Sequence, residues 1–287
     1  MSLKSKFDAG EFVTLAEMEP PKGVDVLAMI TNANQVKYKV DAFVVPEMSN
    51  AVMRMSSLGG ALILQNKGLE TIMQVNCRDR NQLALQADLL AAGAAGVSGV
   101  IAVPGDDPVI GDHHQAKSVY DLDMNQLLQA ANGLRNGTDL AGNSLAGAPG
   151  FLLGASVNAG AKDKALAQEI KKAKESIDAG ARFLITNPLF ELNSIDSFID
   201  QFGGSKATII PTVLVLKSVG MARYINQTQE HISIPDALIE RIRKASDKPA
   251  ECIRIAREMI SAIHDAGFGG VLISTVGWEH RLPEILP

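Results

Sequence analysis

The sequence predicts a single (β/α)₈ barrel, a TIM barrel, and three observations carry that expectation. Short apolar runs recur eight times along the chain, and helix-like stretches lie between them. The 287 residues are close to the roughly 250 that one such barrel needs, so residues 1–287 are read as one domain. Eight strands alternating with helices imply a parallel sheet, and eight is the number that closes it.

The runs span residues 12–18, 41–45, 71–77, 97–103, 151–156, 182–187, 208–213 and 270–275. Their length and their Val, Ile and Thr content suit strands buried on both faces. Between them, Leu166, Ile170, Ala173 and Ile177 mark one helix face, as do Ile253, Ala256, Ile260 and Ile263, and Leu83, Ala87, Leu90 and Ala94. Ala-Gly pairs at Ala92-Gly93, Ala179-Gly180 and Ala266-Gly267 are positioned to close helices in the left-handed conformation. Residues 46–68, with Met48, Met53 and Met55 as packing filler, and residues 135–150 read as irregular; the latter is expected to form an extended loop over the barrel. An open doubly wound sheet is the main rival. It would place a Gly-rich dinucleotide turn after the first strand, where this chain has Glu19-Pro20-Pro21-Lys22.

Composition narrows the function. Apolar residues make up 46% of the chain and aromatics 5%, so the core is built mostly from Ala, Leu, Ile and Val. A net charge of −5 with no dense Lys/Arg block argues against nucleic acid or an anionic membrane as partner. Cys77 and Cys252 are the only cysteines; two thiols make neither a disulfide framework nor a four-cysteine zinc site, and they suit a reducing cytoplasm. The first ten residues lack the apolar stretch of a signal peptide, and no run of about 20 apolar residues suggests a membrane span.

Barrel enzymes carry their chemistry at the C-terminal ends of the strands. There this chain offers Glu17 and Glu19, Gln74 and Asn76 followed by Arg78-Asp79-Arg80, Gly105-Asp106-Asp107, Ser156 and Asn158, and Thr186-Asn187. Glu17 alternates with Ala16 and Met18 and should point into the barrel mouth, where desolvation raises a carboxyl toward general-acid range. Its competing role is an ion pair with Arg78 or Arg80. Gly105 allows close backbone approach to a ligand at Asp106, although an aspartate at such a turn is commonly only a turn residue. Arg78, Asp79 and Arg80 are expected to open a helix as a surface cluster with a capping aspartate. Adjacent His113 and His114 do not aim at one ion, so no metal is expected.

Together these segments resemble the methylenetetrahydrofolate reductase family. Glu17-Met18-Glu19-Pro20-Pro21-Lys22-Gly23 resembles its N-terminal signature, a glutamate three residues before a Pro-Pro pair. Residues 74–80 (QVNCRDR), Val103-Pro104-Gly105-Asp106, the stretch from Gly111-Asp112-His113 to Tyr120-Asp121-Leu122-Asp123, and Ile177-Asp178-Ala179-Gly180-Ala181 with residues 183–190 follow in family order. The Pro-Pro-Lys-Gly start and the Cys77-Arg78-Asp79-Arg80-Asn81 run resemble the reductases of acetogenic and related anaerobic bacteria.

The resemblance implies flavin-dependent reduction of 5,10-methylenetetrahydrofolate to 5-methyltetrahydrofolate. It implies Glu17 as general acid and Asp106 beside the flavin and the folate. Gln74, Asn76, Gly105, Tyr120 and Ser156 fall where the family contacts its flavin, Lys174 on the helix near the phosphate end, and Asn187 in place of a folate-contacting glutamine. FAD is the implied cofactor, with FMN as the alternative, because Glu175 and Pro104 stand where some members carry basic residues. NAD(P)H or a partner electron-transfer subunit is the implied reductant, in an oligomer or hetero-complex. Two other readings compete. A Schiff-base aldolase needs a lysine pointing inward from a strand, and Lys217 lies beyond the seventh. A non-catalytic or corrinoid-linked folate-binding subunit would not need Glu17.

Overall fold

The computed structural model describes residues 2–203, 207–229 and 232–286. Eight parallel strands close in sequence order: β1 (Val13–Glu17), β2 (Ala42–Val45), β3 (Thr71–Asn76), β4 (Gly99–Val103), β5 (Leu152–Val157), β6 (Phe183–Pro188), β7 (Thr208–Leu214) and β8 (Gly270–Ser274). The helices are α1 (Leu3–Ala9), α2 (Leu27–Val36), α3 (Ser57–Gln65), α4 (Gln82–Ala94), α5 (Met124–Arg135), α6 (Asp163–Asp178), α7 (Asp196–Phe202), α8 (Val219–Thr228), α9 (Asp236–Lys244), α10 (Lys248–Asp265) and α11 (Leu282–Ile285). The chain is a single (β/α)₈ barrel, as the alternation predicts, and each predicted run contains or overlaps its strand.

Strand periodicity sorts the side chains into two cores. Val13, Leu15, Ala42, Val44, Ile72, Ile101, Leu152, Phe183, Ile185, Ile210 and Leu272 fill the barrel interior. Their neighbours of opposite parity, such as Ala16, Phe43, Met73 and Leu153, pack outward against the helices. Helix α1 extends the interior core: Leu3 and Phe7 join it, with the Phe7 ring 5.1 Å from Phe183. Ser2 caps this helix by accepting from the Ser5 amide at 3.3 Å. A polar N-terminal segment thus hides two apolar residues that plug the interior.

Several local expectations need correction. The stripe Leu83, Ala87, Leu90 and Ala94 faces solvent, with Leu83 75% exposed, while Leu85, Leu89 and Ala92 face the core. Alanine-rich α4 is apolar on both sides, so periodicity alone cannot choose its buried face. Gly93 lies inside α4; the closing left-handed glycine there is Gly96 (φ 80°), whereas Gly180 and Gly267 close α6 and α10 as expected. Residues 46–68 are not irregular throughout, because Ser56 caps α3 by accepting from the Gly59 amide at 3.1 Å. Met48, Met53 and Met55 are not core filler; none is buried. Residues 135–150 link α5 to β5 at the end opposite the mouth, with a bridge between Thr138 and Ser144.

Glycine 154 sits on an inward position of β5, and a Cβ there would stand 2.4 Å from the Phe183 ring. Overpacking of this kind costs about 1–3 kcal/mol. Gly154→Ala is therefore expected to lower the urea midpoint by that equivalent, and adding Phe183→Leu to recover part of the loss. An unchanged midpoint in the single variant would show that the interior is not packed this tightly.

Candidate active site

The same parity that fills the interior with Val13 and Leu15 brings Glu17 into the mouth. The β1–β8 register pairs Ala16 with Ile273, so Glu17 and Ser274 stand side by side, one turn of the pleat above Leu15 and Leu272. The Ser274 hydroxyl donates a hydrogen bond to Glu17 Oε2. Burial pushes the Glu17 carboxyl up to about 7; the Ser274 bond opposes the shift, and the carboxylates of Glu19 and Glu279 add to it. Glu17 pairs with neither arginine that the sequence offered. Glu19 is also raised, by burial, against the pull of Arg54 at 2.8 Å.

The β3 end is an organised cluster. Arg78, only 3% exposed, makes a bidentate pair with Asp79 (2.5 and 2.7 Å) and donates to the Asp106 carbonyl at 2.7 Å. The Asn76 amide donates to Asp79 at 2.7 Å and its carbonyl accepts from the Asp79 amide at 3.0 Å. Burial works against the Asp79 charge, but the Arg78 and Asn76 hydrogen bonds outweigh it and hold the carboxyl below its usual range. The run is thus no surface cluster. Asn81, not Asp79, caps α4, accepting from the Ala84 amide at 3.0 Å. Arg80 pairs with buried Glu47 (2.8 Å) and with Asp88 (2.6 Å). The Ser57 hydroxyl lies 2.6 Å from both Glu47 Oε2 and the Gln74 carbonyl, and donates to one of them at a time.

After β4, Gly105 takes φ 84°, and a Cβ there would stand 3.0–3.1 Å from the Cβ atoms of Arg78 and Asn76, so the chain turns sharply at Asp106. The exposed Asp106 carboxylate accepts from the Asn50 amide at 2.7 Å. Tyr120 (φ 44°) places its hydroxyl 3.4 Å from the Gly105 carbonyl. On β5, Ser156 is half-buried, and its hydroxyl donates to the Met124 sulfur at 4.0 Å, its one side-chain hydrogen bond among the described residues. On β6 a register shift between Ile185 and Pro188 re-aims the strand end, as bulges do. Thr186 holds the irregularity: its hydroxyl accepts from the Thr212 amide at 3.1 Å, and its carbonyl accepts from the Thr212 hydroxyl at 2.7 Å. Half-buried Asn187 borders a cleft of about 560 Å³ between the starts of α6 and α7.

Glu17, Gln74, Asn76, Gly105, Asp106, Tyr120, Ser156 and Asn187 therefore gather at the C-terminal ends of their strands or on the loops that follow. Lys174 does not join them. It is exposed on α6, eleven residues beyond that helix's first residue, about 16 Å along its axis at the α-helical rise. Sequence reasoning overlooked Ser274, Glu47 and Ser57. Ser274 was detectable, because Gly270, Leu272 and Ser274 share the parity that faces the interior. Among the described residues, no three His, Cys, Asp or Glu side chains converge to hold a metal ion. His113 bonds Asp112 at 2.8 Å and His114 the Val109 carbonyl at 2.9 Å. Burial pushes the Cys77 thiol up to about 12 and the Cys252 thiol to about 11, which makes both poor nucleophiles. No helix among the described residues is long and apolar enough to cross a membrane.

This is a closed α/β barrel whose polar groups converge at the C-terminal face, with the buried Glu17 carboxyl held in the mouth. The model of the methylenetetrahydrofolate reductase family matches residues 2–287, and the chain belongs to that family. Membership ties it to folate chemistry. No curated protein matches it in sequence. Among solved structures, it is similar to an uncharacterized protein from Clostridium thermocellum that binds two copies of 5-methyl-5,6,7,8-tetrahydrofolic acid. That match has a TM-score of 0.67 at 13% identity and covers 99% of this chain and 96% of that one. It is also similar to an EDTA monooxygenase from Chelativorans sp. BNC1 (TM-score 0.57, 10% identity, 96% and 93% covered). A third match is a 2,3-dimethylmalate lyase of the PEP mutase/isocitrate lyase superfamily (TM-score 0.52, 11% identity, 94% and 79% covered). At such identities the likeness is one of fold alone.

The raised Glu17 carboxyl makes a stability prediction. Its pKa in the folded chain, about 7 against an ordinary 4.5, means that the folded state holds the proton more tightly. The contribution is thus full below pH 4.5 and is lost as pH rises to 7, by about 1.4 kcal/mol per unit at most. Glu17→Gln carries no such loss. Its stability relative to the wild type should therefore climb between pH 5 and pH 8 in parallel urea titrations; a flat difference would contradict the raised pKa.

Proposed function

We propose that the chain is a flavoprotein oxidoreductase that reduces 5,10-methylenetetrahydrofolate to 5-methyltetrahydrofolate, with Glu17 as general acid. The observation that carries this reading is Glu17 itself, a carboxyl on an inward strand position, raised to about 7 by burial, in a chain whose family model spans residues 2–287. The pKa of an effective general acid lies near the working pH, and Glu17 meets that condition without an ion-pair partner.

The mouth fits a flavin in its unmet hydrogen bonding. The side-chain amides of Gln74 and Asn187 have no partner among the described residues, Ser156 has only a sulfur contact, and Asn158 Oδ1 is buried without one. A ligand with donors and acceptors along its edge meets these groups. Gln74, Ser156, Tyr120 and the Gly105 turn would hold the ring system, with Asn76 shaping the wall beside Gly105. FAD is the flavin proposed, with FMN as the alternative.

A bound reduced flavin supplies the hydride; the chain prepares the acceptor. The methylene bridge opens when Glu17 gives its proton to the departing nitrogen, leaving an iminium on the folate. The Asp106 carboxylate stabilises that cation, the Asn187 amide orients the pterin, and the barrel walls limit the access of water. The reductant for that cofactor would be NAD(P)H or a partner electron-transfer subunit. Stopped-flow mixing with NADH distinguishes the two: fast reduction of the isolated chain at the turnover rate would make a partner unnecessary.

The visible spectrum of the purified chain, together with methylenetetrahydrofolate turnover, tests the reading. A colourless chain that takes up no flavin would overturn it. Glu17→Gln is expected to keep its flavin and slow turnover by at least about a hundredfold. Asp106→Asn should raise the flavin reduction potential, because removing a negative charge beside the ring stabilises its electron-rich form; a potential that stays or falls would move Asp106 away from the ring.

A further inference from the structure

We propose that Ser274 is a positioning residue for Glu17: its hydroxyl holds one carboxyl oxygen, leaves the other for the substrate nitrogen, and steadies the carboxylate left after proton transfer. The proposal rests on the reading of Glu17 as the general acid.

Three observations carry it. First, the two side chains are neighbours by construction, since the β1–β8 register pairs Ala16 with Ile273 and parity turns both following residues inward. Second, Ser274 is 7% exposed, and its one hydroxyl proton goes to Glu17 Oε2. Glu17 Oε1 has no hydrogen-bond partner among the described residues. Third, the surroundings of Glu17 otherwise oppose its charge. Its β2 neighbour is Val44, and the titratable groups that act on it are Glu19 on its own chain segment and Glu279 after β8, both acidic. Arg54 and Lys217 act on Glu19, not on Glu17.

The chemistry needs such a donor. In the transfer, the Glu17 O–H bond breaks, an N–H bond forms on the substrate, and the electron pair of the cleaved C–N bond stays on that nitrogen. A negative carboxylate remains in a partly desolvated mouth beside two other acids. The Ser274 hydroxyl is the side-chain donor aimed at it. A hydrogen bond to the charged form favours that form, so the serine offsets part of the burial effect and keeps the acid from becoming too weak to release its proton. A serine that merely filled space would affect neither the titration of Glu17 nor the proton-transfer step.

The test uses the full-length chain with its cofactor. Infrared titration follows the Glu17 carboxyl band, assigned by its disappearance in Glu17→Gln, and kcat and KM are measured from pH 5 to pH 9. Ser274→Ala should raise the Glu17 midpoint by about one unit and move the alkaline limb of kcat/KM by the same amount. At pH 6, where the acid is protonated in both proteins, kcat should fall about tenfold from lost orientation, with KM within about twofold. Ser274→Thr, which keeps the hydroxyl, should restore the midpoint and most of kcat. An unmoved carboxyl midpoint, or an unchanged kcat at pH 6, would overturn the proposal. Full turnover by Glu17→Gln would instead remove the general-acid reading, and this proposal with it, whatever the Ser274 variants do.

Discussion

Closure of eight parallel strands is the constraint on which the rest depends. In a closed sheet every second side chain on every strand must enter one shared interior, and the chain meets that demand with apolar residues through the lower layers. Toward the C-terminal ends the inward positions carry Glu17, Gln74, Asn76, Ser156, Asn187 and Ser274. The mouth is thus the continuation of the core by polar residues, and its geometry inherits the rigidity of the packed layers below it. The Phe183 ring occupying the space above Gly154 and the Phe7 ring against Phe183 belong to the same column of contacts that supports the strand ends.

The mouth is electrically divided. On the β1–β8 side burial raises Glu17, with Glu19 and Glu279 adding to the shift, and burial together with Glu279 raises Glu19. On the β3–β4 side Arg78 draws Asp79, Asn76 and the Asp106 carbonyl into one network, leaving the Asp106 carboxylate outside it. Two carboxyl groups in one mouth thus receive different environments: Glu17 is buried beside Ser274, and Asp106 is exposed against the Asn50 amide.

The loops over the mouth are tied to one another. Asp112 accepts from Lys22, from the Met53 amide at 2.9 Å and from His113 at 2.8 Å, linking the segments after β1, β2 and β4. Arg54 joins the second of these to Glu19 at 2.8 Å. The loop after β2 carries Met48, Asn50 and Ala51 at φ 48°, 55° and 53°, a conformation costly for side chains with a Cβ. It persists where partners hold it, and the bond from the Asn50 amide to the Asp106 carboxylate is one of them.

The strand runs, the barrel and the inward placement of Glu17 were legible in the sequence because all three follow from local period: alternation within strands, helical spacing between them, and one carboxyl at an inward place in an apolar run. The outward face of α4 was not legible, since a helix with Ala and Leu on both sides has no preferred period to read. The capping turn before α3 and the bulge at Asn187 depend on hydrogen bonds whose geometry appears only once the strands are paired. Arg78 looked like a surface charge because burial of an arginine depends on an aspartate, an asparagine and a distant carbonyl meeting it together. Ser274 lies 257 residues from Glu17, and only the closure of β8 onto β1 makes them neighbours. Sequence by itself determined which side chains each strand turns inward; the tertiary structure decided which of them touch, because contact across a barrel is set by register between strands and not by distance along the chain.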